Sequence, residues 1–284
     1  MVTIFTPVFN RAYIIPQLYH SLCRQTSMDF EWLVVNDGST DDIDDVISSF
    51  IEEGKINIRY FKQVNRGKHI AINHGVNEAK GELFFIVDSD DYLTEDAIGW
   101  ITETSVAVMD DERFAGLSGV RIYPDGSKIG GGGNFGVIDA NAIDVRLKHG
   151  VVGDLAEIFK TSILKQYQFP EFKGEKFCPE ALVWFRIARK YKLRYCYKGI
   201  YVCKYLPDGL TAKITKLRRE SPQASMTFYA EHFYDKMPLP WRMKAAINFW
   251  RFSIAPYNKY KMITPLALTA WLPGRFMRIL DRNK

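Results

Sequence analysis

Three carboxylates follow an apolar run in the segment Phe84-Phe85-Ile86-Val87-Asp88-Ser89-Asp90-Asp91-Tyr92-Leu93. Read as a buried strand running into Asp88, the segment projects Asp88 and Asp90 together, because side chains two apart in an extended chain share a face. Two like charges so close repel unless a cation sits between them. A hard divalent ion, Mg²⁺ or Mn²⁺, is the natural occupant, held by one or two carboxylates plus phosphate oxygens. The plainer reading is an acidic turn in which Asp91, Thr94, Glu95 and Asp96 only cap the next helix. From this segment alone the two readings stand level.

Two further segments favour the first. Thr6-Pro7-Val8-Phe9-Asn10-Arg11 and Val34-Val35-Asn36-Asp37-Gly38-Ser39-Thr40 each end an apolar run in polar groups. In a parallel sheet those ends share one carboxyl edge, where open α/β sheets bind ligands. Asp37 can accept a hydrogen bond from the imide N–H of uracil, and Phe9 can stack on a base. A strand-ending turn and a core aromatic are the plain alternatives. Lys68 opens a helical run near the same edge, within reach of a phosphate oxygen or simply solvated.

The elements that must position these groups are legible from periodicity. Strands are predicted at 2–9, 30–36, 57–62 and 82–87, and helices at 13–25, 41–53, 68–79 and from 95 onward. Ser39 or Thr40 is expected to cap the second helix and Thr94 the fourth. This alternation predicts an α/β fold, a mostly parallel sheet with helices on both faces. Beyond it, 117–123 and 127–129 flank a Pro-Asp-Gly turn, and the glycine run 130–133 reads as mobile, a candidate lid or equally a disordered hairpin end. Residues 154–164 and 179–191 read as helical, 193–205 as strands around Lys198-Gly199, and everything from 214 as helices.

At this point the motifs carry a resemblance. Thr-Pro-x-Phe-Asn, Val-Asn-Asp-Gly-Ser-Thr-Asp, Asn65-Arg66-Gly67 with Ala71-x-Asn73-x-Gly75, Ala79-Lys80-Gly81-Glu82, and Asp88-Ser89-Asp90-Asp91 come in order at close spacing. Together they resemble the inverting family 2 glycosyltransferases of GT-A fold, closely over 1–100 and more loosely over 101–212. The resemblance implies a GT-A domain over 1–215, with a nucleotide-sugar donor half at 1–100 and an acceptor half at 101–215, followed by a helical tail at 216–284. It implies that Thr6, Pro7, Phe9, Asn10, Asp37, Lys68, Asp88 and Ser89 surround the donor nucleotide. Asp37 would read the base, Asp88 would lie near the ribose, and Asp90 would hold the metal on the diphosphate. Many members carry Tyr where this chain has Phe9, so stacking is kept and any hydroxyl contact is lost.

Inverting transfer also needs a base to take the acceptor hydroxyl's proton. Glu180 matches the family's acidic helix-start motif, although Pro179-Glu180 stands where many members have Glu-Asp. Glu175 is the second choice, and a first-turn Glu that only complements the helix dipole is the plain reading of Glu180. Asp154 is an acceptor-side position or the cap of the helix after it. Tyr205-Leu206-Pro207-Asp208-Gly209-Leu210-Thr211 resembles a loop that follows the domain's last strand in relatives.

Composition bounds the rest. Hydrophobic residues are 47% and charged residues 25% of 284, an ordinary globular mixture that argues against disorder. The four cysteines form no CxxC pair and read as reduced thiols, with a Cys196–Cys203 disulfide as the alternative; the five histidines lack zinc-ligand spacing. The opening apolar stretch reads as a strand rather than a leader, and the uncharged run 262–274 is interrupted by two prolines, too short to cross a bilayer. Residues 237–284 hold nine Lys/Arg, eight aromatics and one acid, Asp281. That segment carries +8 of a total of +5, leaving −3 for residues 1–236. Such a tail suits a membrane surface or braces the domain; no motif suggests nucleic acid. The expected location is the cytoplasm, peripheral on the inner face of the membrane. The expected reaction moves a hexosyl or N-acetylhexosaminyl group from a nucleotide sugar, with a UDP-sugar favoured, to a saccharide or polyprenyl-linked acceptor in cell-surface polysaccharide or glycan synthesis. The alternatives are a metal-dependent phosphohydrolase or sugar-nucleotidyltransferase, or a non-catalytic membrane-docked assembly protein.

Overall fold

The computed structural model describes residues 1–131, 133–203, 213–254 and 260–282. Its opening elements are β1 (Val2–Val8), α1 (Ile15–Cys23), β2 (Phe30–Asn36), α2 (Ile43–Glu53), β3 (Ile58–Lys62), α3 (Lys68–Glu78) and β4 (Leu83–Ile86). The strands follow the apolar runs, and β2 is buried at every position because both sheet faces are covered. β3, β2, β1 and β4 lie side by side in that order, all parallel. Val8 pairs with Asn36, and Phe5 with Ile86, so the polar ends of the three strands come level. Below them Tyr19 and Phe50 stack at 3.9 Å, and the Trp32 indole N–H donates to Thr6 Oγ1 at 2.9 Å.

Glu31 is a buried carboxylate in this sheet. It accepts from the Thr3 hydroxyl at 2.6 Å, the Lys80 N–H at 2.7 Å and the Arg59 guanidinium at 3.1 Å. Burial alone would raise its carboxyl, but these donors outweigh burial and hold it below the usual range.

The chain continues through β5 (Tyr92–Leu93), α4 (Ala97–Met109), β6 (Phe114–Ile122), β7 (Val137–Ala140), α5 (Asp144–Leu147), β8 (Leu155–Lys160), α6 (Thr161–Leu164), α7 (Ala181–Ala188) and β9 (Lys192–Val202). The sheet extends from β4 through β8, β6, β9 and β5, with β7 also on β9. β8 runs antiparallel to both β4 and β6, while β6 and β9 are parallel. The predicted α/β fold is present, and its first four strands form one continuous parallel block.

Three local expectations change. Residues 155–160 are a strand, not a helix, because β4 and β6 both offer them ladder partners. Asp154 therefore precedes a strand and caps no helix. Ser39 and Thr40 do not cap α2, whose N-cap is Asp42, and Thr94 does not cap α4, whose N-cap is Asp96. The start of the glycine run is tied down: the Lys128 ammonium is buried and donates to the carbonyls of Ile129, Gly131 and Val152. All four cysteines are free thiols.

After β9 come α8 (Ile214–Glu220), α9 (Pro222–Tyr234), α10 (Leu239–Phe252), α11 (Pro265–Thr269) and α12 (Trp271–Arg282). Two compact units result: Met1–Gln168 with Arg186–Tyr205, and Phe169–Phe185 with Leu206–Lys284. The division departs from a single boundary at 215, since residues 169–185 group with the C-terminal helices. Within that second unit Phe185 stacks on His232 at 4.8 Å, and Tyr229 stacks on Phe252 at 6.0 Å. The loop 205–211 lies outside the described residues.

Candidate functional site

The ends of β1, β2 and β4 build one polar edge. Asp37 is 3% exposed and spends its carboxylate on the loop that leads into α3. Its Oδ1 accepts from Gln63 Nε2 at 2.7 Å and the Arg66 N–H at 2.9 Å, and its Oδ2 accepts from the Gly67 N–H at 2.7 Å. Three of a carboxylate's roughly four acceptor positions are thus filled from within the chain. Gly38 follows with φ +74, and a Cβ there would lie 2.6 Å from Asn65 N, so the turn requires glycine. Asn10, at φ 54, takes the Thr40 N–H at 2.8 Å on its Oδ1, and its own N–H donates to Ser39 Oγ at 3.0 Å. The loops after β1 and β2 are thereby locked to each other. Pro7 is partly buried, and Phe9 at 48% exposed presents a free ring rather than a core one. Thr6 is fully buried with its hydroxyl committed to Trp32, so it shapes the edge from beneath.

The acidic segment is a turn, not an extended continuation of β4. The strand ends at Ile86, and the Asp91 N–H closes on the Asp88 carbonyl at 3.1 Å. The alternation argument for Asp88 and Asp90 therefore does not hold; the turn brings them together instead. Lys68 Nζ lies 2.6 Å from Asp88 Oδ1, so the helix-start lysine is an ion-pair partner rather than a solvated cation. Burial would raise Asp88's carboxyl, but Lys68 and Arg121 prevail and hold it low. Asp90 differs: burial and the neighbouring Asp88 raise its carboxyl and outweigh the opposing charges of Arg11 and Lys68. Ser89 is buried between them.

Two further residues of this cluster escaped the sequence. Tyr201, fully buried in β9, accepts the Asp88 N–H at 3.0 Å and donates to Asp91 Oδ2 at 2.7 Å. Arg121 from β6 lies 4.2 Å over the Tyr201 ring. Burial, then the Asp88 charge, push Asp91's carboxyl up to about 7. Asp154 is exposed, and its charge joins those of Asp91 and Asp88 in reinforcing burial, so that the Cys203 thiol is pushed up to about 12. No spacing rule links residues 88, 91, 121 and 201; only the folded sheet does.

Among the described residues no group of three or more His, Cys, Asp or Glu side chains converges as a metal cage. Two carboxylates without a cage suit Mg²⁺ or Mn²⁺, which keep positions for phosphate oxygens and water. Burial first, then the neighbouring Asp88 charge, raise the Asp90 carboxyl, and a cation bound there would favour its charged form.

Glu175 and Glu180 belong to the second unit. Glu175 accepts from the Gln223 N–H at 2.7 Å and the Ala224 N–H at 2.9 Å, which makes it the anion at the start of α9. Glu180 is partly exposed and lies one residue before α7, its carbonyl taking the N–H groups of Val183 and Trp184. A separate cleft of about 520 Å³, lined by Trp100, Glu103, Tyr197 and Lys198 among others, contains none of the residues above.

Residues 3–130 match the family model described as Glycosyl transferase family 2, and they contain the whole Asp37–Asp88–Asp90 edge. Over these residues the chain is similar to glycosyl transferase family 2. An uncharacterised glycosyltransferase of Rickettsia felis is 35% identical over 113 residues, 40% of this chain and 18% of that protein. The chain thus spans less than a fifth of the length of the first curated relatives it matches. Among solved structures, S. aureus TarS 1–349 in complex with UDP-GlcNAc superposes with TM-score 0.62 at 18% identity, covering 99% of this chain and 90% of that one. A mannosyltransferase of Pyrobaculum calidifontis in complex with GDP-Man and Mn²⁺ gives TM-score 0.58 at 18% identity, covering 99% and 87%. These likenesses establish the GT-A fold with a C-terminal helical extension.

Proposed function

We propose that the chain is an inverting, metal-dependent glycosyltransferase that moves a sugar from a nucleotide sugar to a saccharide or polyprenyl-linked acceptor. The observation that carries this reading is the carboxylate turn at the family's motif position, with Asp88 held by Lys68 at 2.6 Å and Asp90 beside it in the turn that the Asp91 N–H closes on the Asp88 carbonyl. Asp90, with Asp88, would hold the divalent ion, which when bound neutralises charge on the departing diphosphate. The exposed Phe9 ring offers a stacking surface for the base. Asp37 keeps one acceptor position for an imide N–H and rigidifies the loop that delivers Lys68. Uracil is the favoured base; guanine carries an imide N–H as well. The complexes of TarS with UDP-GlcNAc and of the mannosyltransferase with GDP-Man and Mn²⁺ support a nucleotide-sugar donor of either kind.

Glu180 is assigned as the base and Asp154 to the acceptor side. The acceptor oxygen bonds to the anomeric carbon as the bond from that carbon to the diphosphate oxygen breaks, and Glu180 takes the hydroxyl proton. Glu175 is the weaker candidate, because its carboxylate is already committed to the N-terminus of α9. The test is mass spectrometry of products from UDP- and GDP-sugar panels with lipid-linked and free saccharide acceptors. A sugar-mass increment on one acceptor, abolished by chelator, is expected. Release of phosphate or formation of a nucleotide sugar from sugar phosphate would overturn the proposal.

A further inference from the structure

The C-terminal helices settle which tail aromatics are structural. Trp250 is buried in α10, and its indole N–H donates to the Ala267 carbonyl at 2.8 Å. α12 approaches α10 through Gly274, where an added Cβ would lie 2.6 Å from both the Ile247 carbonyl oxygen and Trp250 Cβ. Arg251 grips Asp281 with two bonds of 2.6 and 2.7 Å, and Arg278 donates to the Ser253 carbonyl. Ala267, Ala270, Gly274 and Asp281 thus mark the side of α11 and α12 that is bound into the unit.

Among the described residues the opposite side has no such cover. Leu272, Phe276, Ile279 and Leu280 are 70%, 61%, 57% and 47% exposed, spaced i, i+4, i+7 and i+8, one face of a helix. Trp271 and Leu268 add 46% and 48% exposed side chains at its start. Single exposed apolar side chains are ordinary, whereas a contiguous stripe marks a surface that something covers.

Charge selects the occupant. The single acid of residues 237–284, Asp281, is neutralised by Arg251 on the bound side, against nine Lys/Arg in the same segment. A second copy would bring a like charge to this face, while an anionic headgroup layer complements it. An apolar stripe bearing Trp and Phe with basic residues around it is the pattern of helices that lie in a membrane interface. No helix among the described residues is long and apolar enough to cross a membrane.

We propose that α12 docks flat on an anionic lipid surface, with Leu272, Phe276, Ile279 and Leu280 entering the headgroup–acyl boundary. The test is co-sedimentation of the full chain with phosphatidylcholine vesicles, with and without phosphatidylglycerol. Binding is expected to the anionic vesicles and to weaken about tenfold or more at high salt, where the screening length shortens to about 3 Å. The triple variant L272S/F276S/I279S should lose this binding while melting with the wild type, since none of the three side chains is buried. In a second variant, Phe276→Trp, tryptophan emission should shift blue with anionic vesicles by more than in the wild type. Absence of binding at low salt overturns the proposal, as does a triple variant that binds like the wild type. A dimer that the triple variant breaks, without vesicle binding, also overturns it in favour of a second copy. No arm reads sugar transfer, so its failure is separable from failure of the proposed activity.

Discussion

Replacing Asp37 by Asn is a nearly isosteric change with a large expected effect. The carboxylate is 3% exposed and accepts from Gln63 Nε2, the Arg66 N–H and the Gly67 N–H. Asn keeps one oxygen and turns an NH₂ toward a group that is itself a donor. Gln63 can reverse its amide only if His74, whose Nδ1 lies 3.0 Å from Gln63 Oε1, presents an acceptor there instead of a donor. At least one charge-assisted bond is lost and a buried backbone N–H is left unpaired, a cost of roughly 2–4 kcal/mol. For a unit of this size that lowers the melting temperature by roughly 4–16 °C. The loop 63–67 delivers Lys68 to Asp88, so amide exchange there should accelerate and nucleotide affinity should fall as well. Calorimetric melting, hydrogen exchange and a UDP titration of Asp37→Asn measure all three. A variant that melts with the wild type and loses only nucleotide affinity would refute the loop-anchoring argument and leave Asp37 as a base contact alone.

Other outcomes follow from the same geometry. Glu31's carboxyl is held low, so its contribution to stability is full above roughly pH 4.5 and disappears as pH falls through its lower folded value. Glu31→Gln should flatten that acid limb in pH-dependent melts and cost about 1–3 kcal/mol, because charge-assisted bonds at a buried acceptor are weakened while Arg59 keeps Glu78. Glu180→Gln should lower kcat by roughly 10²–10⁴-fold with donor affinity kept. Glu175→Gln should instead weaken the start of α9, lowering stability by about 1 kcal/mol with kcat little changed. The reverse pattern in steady-state kinetics and melts would exchange the two roles.

The parallel part of the sheet was legible because each strand is an apolar run closed by polar residues, and each connecting helix carries its own periodicity. β2 begins and ends where the pattern places it, at Phe30 and Asn36. Residues 155–160 were misread for a physical reason. Leu155, Ile158, Phe159, Ile163 and Leu164 satisfy helical spacing, and the ladder partners that decide for a strand, β4 and β6, are distant in sequence. The carboxylates were found by type, but their setting was not: Tyr201 meets Asp91 across 110 residues of chain. Asp37 was assigned a ligand from its motif, while the three donors that fill it sit in a loop whose closure no local pattern announces. In the tail, composition counts Trp250 and Trp271 alike, and only the docking of α12 on α10 separates the buried brace from the exposed stripe.

The central claim is that the edge formed by β1, β2 and β4 binds a nucleoside diphosphate through a divalent ion held at Asp90. Calorimetric titration of UDP and of GDP into the wild type and Asp90→Ala, each with Mn²⁺ and with chelator, tests it most directly. The account predicts saturable binding of one nucleotide to the wild type, about tenfold or more tighter with Mn²⁺, an advantage of about 1.4 kcal/mol or more that Asp90→Ala abolishes while its melting curve stays cooperative. Binding that is indifferent to the metal, or an Asp90→Ala protein that keeps the full Mn²⁺ advantage, would contradict it.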